Sequence, residues 1–221
     1  MTRWREDSTR DNWGAFCYVR DMEDGDFWAT TYQPTLVEPR HHEVIFSEGR
    51  AEFRRSDNGI DLYTEIVVSP EDDIELRRTR ITNTTDRVRT IEVTSFAEVV
   101  MAPAAADAAH PAFSKLFVQT EILRDQRAIL CTRRPRGANE AMPYLMHSMT
   151  VHDAPVVAVS FETDRSRFLG RGNTAAAPRA LLESGPLSGA EGSVLDPVVA
   201  IRYTITLKPD QTAIVLSLIH I

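Results

Sequence analysis

Lysine is almost missing from this chain: of 25 basic residues only Lys115 and Lys208 are lysines, and the rest are arginines. Positive charge is not in excess either. The formal net charge is −7, without the basic footprint of a dedicated nucleic-acid binder, so no nucleic-acid partner is expected. No apolar run approaches the ~20 residues that a membrane helix needs. The opening Met1-Thr2-Arg3-Trp4-Arg5 is followed by no apolar stretch of the kind a secretory leader carries. Cysteine is scarce, with Cys17 and Cys131 the only two. Their spacing fits no zinc motif, and two scattered cysteines make no disulfide framework. Both sit in apolar segments and read as small buried hydrophobes, a usage that suits a reducing cytoplasm. Arginine in place of lysine, together with many alanines, is what a GC-rich bacterial genome would encode. The chemical alternative is arginine's bidentate fork onto carboxylates and phosphates.

What the chain does have is period-two alternation, the mark of half-buried strands. Ile60-Asp61-Leu62-Tyr63-Thr64-Glu65-Ile66-Val67-Val68 follows Asp57-Asn58-Gly59, and Asn-Gly is a strong hairpin signal. Residues 53–56 supply the partner strand. Ser69-Pro70-Glu71-Asp72-Asp73 stops the strand, because proline gives no ladder donor, and Ile74–Ile81 resumes it. Thr90–Val100 is the clearest long strand. Further strands are expected at Phe16–Val19, His42–Phe46, Phe117–Leu123, Ala128–Thr132, Leu145–Val151, Val156–Glu162, Val198–Leu207 and Thr212–Val215. Short turns between strands favour a large antiparallel β-sandwich over alternating βαβ units. One short helix is expected, at Pro111–Leu116, with Ala102–Ala109 as a small-residue connector.

Both ends depart from this pattern. The chain opens in a charged stretch with no strand, which predicts a sandwich truncated at that end. The last strand runs into Leu216-Ser217-Leu218-Ile219-His220-Ile221. Those six residues are what CTG-TCT-CTT-ATA-CAC-ATC encodes, the transposon end used as an adapter in shotgun libraries. Residues 216–221 are therefore expected to be translated adapter, and residues 1–215 an incomplete all-β domain.

Chemistry is sparse. Nucleophile elbows, P-loops and dinucleotide fingerprints are absent. His41 and His42 are adjacent, so on a strand they point to opposite faces and do not converge on a metal. His147 and His152 are five apart and split faces likewise. Glu71, Asp72 and Asp73 cluster in one turn. A glycosidase needs two carboxylates facing one another ~5 to 9.5 Å apart, which neighbours in a turn do not provide. Gly170-Arg171-Gly172 is either a plain turn or an anion contact through Arg171. Arg133-Arg134-Pro135-Arg136 is basic but lacks interleaved aromatics. The opening third holds Trp4, Trp13, Tyr18, Trp28 and Tyr32 among Arg3, Arg5, Arg20 and Asp21. Such a set either stacks on a sugar and bonds its hydroxyls or simply fills a core. Neither a metal nor a cofactor is expected.

The same segments carry a family likeness. Arg3-Trp4-Arg5-Glu6-Asp7, Asp11-Asn12-Trp13-Gly14, Tyr18-Val19-Arg20-Asp21, Trp28-Ala29-Thr30-Thr31-Tyr32-Gln33-Pro34, Val68–Asp73, Glu92–Glu98, Ala106–Phe113, Glu162–Arg165, Phe168–Gly172 and Leu195-Asp196-Pro197 run in order. Together they resemble the N-terminal β-sandwich, or supersandwich, of glycoside hydrolase family 94, formerly glycosyltransferase family 36, and in particular the copy at the C-terminal end of cyclic β-1,2-glucan synthases. The resemblance covers residue 1 to about residue 215, and an ordered set of this length is far more specific than any one motif.

The resemblance implies a longer protein in which a helical linker, an (α/α)6 barrel and a small β domain follow the sandwich. The barrel would hold the general acid and the phosphate site, beyond residue 221. Phosphate attacks the anomeric carbon with inversion, so only one protein carboxylate has to act. The chain alone is then an inactive, non-catalytic fragment with no catalytic residue of its own. Partners implied are a β-glucan oligosaccharide, inorganic phosphate, the barrel domain and a second copy in a homodimer. The location implied is the cytoplasm, or the cytoplasmic face of the inner membrane for a glucan synthase. Loops of the sandwich approach an active site in relatives. Trp28, Tyr32 and Gln33 are the candidates for sugar contact or for a place beside the active site, with Arg20 and Asp21 behind them and Arg171 on its own loop. Two departures stand out: Phe27 precedes Trp28, and Asn173 follows Gly-Arg-Gly where a basic residue is common, which weakens a phosphate role for Arg171. A stand-alone carbohydrate-binding or dimerisation module is the alternative, and it would expose its tryptophans.

Overall fold

The computed structural model describes residue 9, residues 12–135, residue 137 and residues 142–221. Arg3, Trp4, Arg5 and Arg136 lie outside these. Thirteen strands and four short helices follow in order: β1 (Ala15–Asp21), β2 (Phe27–Ala29), β3 (His41–Ser47), β4 (Arg50–Asp57), β5 (Ile60–Val68), β6 (Ile74–Asn83), β7 (Arg89–Glu98), α1 (Ala104–Ala109), α2 (Pro111–Lys115), β8 (Val118–Leu123), β9 (Ala128–Arg133), β10 (Tyr144–His152), β11 (Val156–Asp164), α3 (Arg165–Leu169), α4 (Arg179–Leu182), β12 (Pro197–Leu207) and β13 (Thr212–His220). The fold is the expected all-β antiparallel sandwich. It carries four short helices where one was expected, and β2 is a strand with no sequence signal, too short to show a period.

The strands form two sheets, a five-stranded one ordered β11-β12-β7-β1-β2 and an eight-stranded one ordered β3-β4-β5-β6-β13-β10-β9-β8. All pairings are antiparallel. Alternation decides which residues meet. In the small sheet Cys17, Val19, Ile91, Val93, Val199, Ile201, Tyr203 and Ile205 face the large sheet, where Leu62, Ile81, Ile129, Met149, Ala213 and Val215 meet them. The even-numbered face of the small sheet is also buried. Tyr18, Phe96, Val198 and Ala200 pack beneath Phe168 and Leu169 of α3 and Leu181 of α4. Phe96 and Phe168 stack with centroids 4.5 Å apart. The small sheet is thus covered on both sides, giving three layers.

Asn58 and Gly59 close the β4–β5 hairpin with both φ angles positive, 46° and 75°, as a two-residue turn demands. A Cβ on Gly59 would sit 2.4 Å from Thr85 Cγ2, so glycine is required there twice over. The last strand lies inside the large sheet. β13 pairs with β6 from Thr212↔Thr82 to His220↔Ile74 and with β10 from Met146↔His220 to His152↔Ile214. Residues 216–220 are part of that strand.

Candidate functional site

Arg20 and Asp21 end β1 and, being neighbours, serve opposite faces. Arg20 lies on the helical side. Its Nη1 donates to the carbonyl of Glu183 at 2.8 Å and lies 3.6 Å from Glu92 Oε2. Arg202 reaches the same carboxylate from the other side at 3.5 Å. It also donates to the carbonyls of Gly185 at 3.0 Å and Ala180 at 2.5 Å. Two buried guanidiniums around one buried carboxylate therefore staple α4 and the loop after it onto the small sheet. Asp21 faces the large sheet. It pairs with buried Arg89, and Arg89 Nη1 donates to the Asn58 carbonyl at 3.0 Å, which ties β1 to the β4–β5 hairpin.

Trp28 is 1% exposed and belongs to the inter-sheet core. Trp13 is half-buried. The chain beyond Trp28 forms a loop held by buried Arg55. Its Nη1 donates to the Thr31 carbonyl at 2.9 Å and its Nη2 to the Val37 carbonyl at 2.7 Å. Asp57 holds the guanidinium in place at 2.6 Å. Leu36 N–H closes back to the Tyr32 carbonyl at 3.0 Å, and Gln33–Pro34 is cis. This loop presents Tyr32, 39% exposed, to solvent. Arg171 is exposed on the α3–α4 loop, which Tyr18 anchors by donating its hydroxyl to the Ala175 carbonyl at 2.8 Å. The six residues are therefore not one cluster. Arg20, Asp21 and Trp28 are buried supports, Gln33 is half-buried beside Tyr32 with its carbonyl accepting from the Thr31 hydroxyl at 2.6 Å, and Tyr32 and Arg171 reach solvent from separate loops.

The described residues hold one arrangement that imitates a nucleophile and its base. Ser95 Oγ lies 2.7 Å from His147 Nε2, and His147 Nδ1 lies 3.0 Å from the Leu218 carbonyl. The carbonyl only accepts, so Nδ1 carries the proton and Nε2 accepts from Ser95. Both residues are sealed between the sheets. Burial pushes the imidazole down to about 4, with the Leu218 hydrogen bond opposing and Arg77 assisting. Burial likewise pushes the thiols of Cys17 and Cys131 up to about 12. These are buried groups packed between the sheets. Among the described residues no group of three or more His, Cys, Asp or Glu side chains could hold a metal. Glu71 and Asp72 sit in a turn where their N–H groups donate to Ser69 Oγ.

Sequence reasoning missed a groove on the outer face of the large sheet. His41, Glu43, Arg54, Ser56, Asp61, Tyr63, Arg80, Thr82, Thr212 and Ile214 line about 830 Å³ there. These residues come from five strands, and their convergence depends on pairing register, to which no local signal points.

The strands and their order define a large all-β antiparallel sandwich. The family model of the glycosyl hydrolase 94 supersandwich domain matches residues 1–220, and the chain belongs to that family. It is similar to the cyclic beta-(1,2)-glucan synthase NdvB of Rhizobium meliloti (strain 1021), 37% identical over 205 residues that make up 93% of this chain and 7% of that protein. It is similar also to the N,N'-diacetylchitobiose phosphorylase of Vibrio furnissii, 32% identical over 109 residues, 48% of this chain and 14% of that one. A third relative is the 3-O-beta-D-glucopyranosyl-beta-D-glucuronide phosphorylase of Paenibacillus borealis, 25% identical over 205 residues, 90% of this chain and 25% of that one. The chain spans a quarter or less of the length of each.

Proposed function

We propose that this chain is the non-catalytic supersandwich of a longer protein that acts on β-glucosides by inverting phosphorolysis or glycosyl transfer. The observation that carries this is the match to NdvB, which takes in 93% of this chain but 7% of that protein. The longer protein's substrates would be a β-glucan oligosaccharide and inorganic phosphate. Its acid would come from an (α/α)6 barrel, and a homodimer would be its assembly. Its place would be the cytoplasm or the cytoplasmic face of the inner membrane. The buried carboxylates of the small sheet are taken up by the fold, which is in keeping with this division of labour. An inverting phosphorylase needs one carboxylic acid poised at a sugar. Here Glu92 and Asp21 are locked in buried ion pairs. Glu162 accepts from the N–H groups of Thr163 and Asp164 and from the Ser188 hydroxyl.

The alternative, a free-standing binding module built on exposed tryptophans, loses support because Trp28 is buried. The test is phosphorolysis by the purified chain, with β-1,2-glucan oligosaccharides and phosphate, beside a longer polypeptide that continues into the next domain. Sugar 1-phosphate from the longer protein alone is the expected result. Release by this chain alone overturns the proposal.

A further inference from the structure

The groove on the outer face of the large sheet is built from two registered rows. One runs His41↔Ser56, Ser56↔Asp61, Asp61↔Thr82 and Thr82↔Thr212 across β3, β4, β5, β6 and β13. The other runs Glu43↔Arg54, Arg54↔Tyr63, Tyr63↔Arg80 and Arg80↔Ile214 across the same strands. Five strands span about 19 Å, and rows two residues apart are about 7 Å from one another. The shape is an elongated open trough, long enough for several pyranose rings end to end. Asp153, from the β10–β11 turn, stands in its wall.

Its chemistry is mixed, with one more carboxylate than guanidinium. The lining carries three carboxylates, Glu43, Asp61 and Asp153, and two guanidiniums, Arg54 and Arg80. Hydroxyls of Ser56, Thr82 and Thr212 lie between them. Tyr63 is central, with the guanidiniums of Arg54 and Arg80 5.5 and 5.8 Å from its ring centre and its hydroxyl donating to Glu52 at 2.7 Å. One pair of these charges is satisfied within the lining: Arg54 with Glu43 at 3.0 Å. Three are not: among the described residues Arg80 has no ion-pair partner and the Asp61 and Asp153 carboxylates accept no hydrogen bond, although all three are exposed to the trough.

We propose that this trough binds a neutral oligosaccharide chain lying across β3 to β13. A sugar hydroxyl both donates and accepts, so it can satisfy a free guanidinium and a free carboxylate together. A polyanion would be drawn to Arg80 and repelled by the three carboxylates; an apolar ligand would strand the charges. The site belongs to the chain itself and does not depend on the catalytic reading above. Only the choice of β-glucan as the natural sugar rests on that reading.

The test is isothermal titration and amide-shift mapping on the 221-residue chain with three probes: β-1,2-glucan oligosaccharides, cello-oligosaccharides and dextran sulfate. The expected result is binding of a neutral oligosaccharide at millimolar concentration or below, with shifts at Tyr63, Thr82 and Thr212. Arg80→Ala and Asp61→Ala should each weaken it about tenfold, the loss of one charge-assisted hydrogen bond. Both side chains are exposed, so thermal midpoints should not move. Binding of cello-oligosaccharides but not of the β-1,2-linked probe supports the trough and overturns the choice of sugar. No neutral binding, binding untouched by both substitutions, or preference for dextran sulfate overturns the proposal.

Discussion

Arg20 and Asp21 adjoin in sequence, yet one fastens the helical layer and the other fastens the opposite sheet. Charge beside aromatic residues suggests a surface that grips a sugar, and the alternation of a strand cannot say that both of its faces are covered. Glu92 shows the energetic consequence. Its charge is the counter-ion for two buried guanidiniums, and breaking a buried pair leaves an uncompensated charge. Glu92→Gln should destabilise the fold by about 3 kcal/mol. The exposed Glu43–Arg54 pair is worth little, so Glu43→Gln should change stability by less than about 1 kcal/mol. Urea unfolding of the two variants makes the comparison. His147 adds a pH dependence. Its folded value, about 4, lies below the ordinary histidine value, so the unfolded chain binds the extra proton first as pH falls. Stability is then full above about pH 6.5 and declines toward pH 4, by about 3 kcal/mol from this residue. His147→Gln should flatten that part of a stability–pH curve measured by urea midpoints.

Among the elements, long strands were legible because alternation repeats within them. β5 runs from Ile60 to Val68 as expected, and β6 and β12 differ from expectation by two residues or fewer at either end. The misses share a cause. β2 has three residues, and α3 and α4 have five and four, too few for any period to register; packing on the small sheet holds them. α1, a run of alanines that offers no apolar stripe, formed where a connector was expected. The loop after β2 is likewise a tertiary product, since Arg55 is 18 residues from Val37, whose carbonyl it holds. Arg55→Ala would leave the Thr31 and Val37 carbonyls and the Asp57 carboxylate without their donor. Hydrogen exchange should report faster exchange of the Leu36 amide, which closes this loop, while the β7 and β12 amides at the centre of the small sheet keep their protection.

For the whole molecule the placement of β13 matters most. The last strand lies between β6 and β10 and joins two groups of strands into one wide sheet. Thr212 and Ile214 of β13 complete the trough. Residues 216–220 take part through backbone pairing, and the Ile219 side chain packs against the inter-sheet core. The described residues contain no helix long and apolar enough to cross a membrane. Composition, period and turn chemistry determined the all-β class and nearly every strand, because each is written in residues a few positions apart, and an ordered set of motifs along the chain carried the family resemblance. Only the tertiary structure decided which charged residues are supports and which face an open trough. Burial and cross-strand register are set between residues far apart in sequence, and no local pattern encodes them.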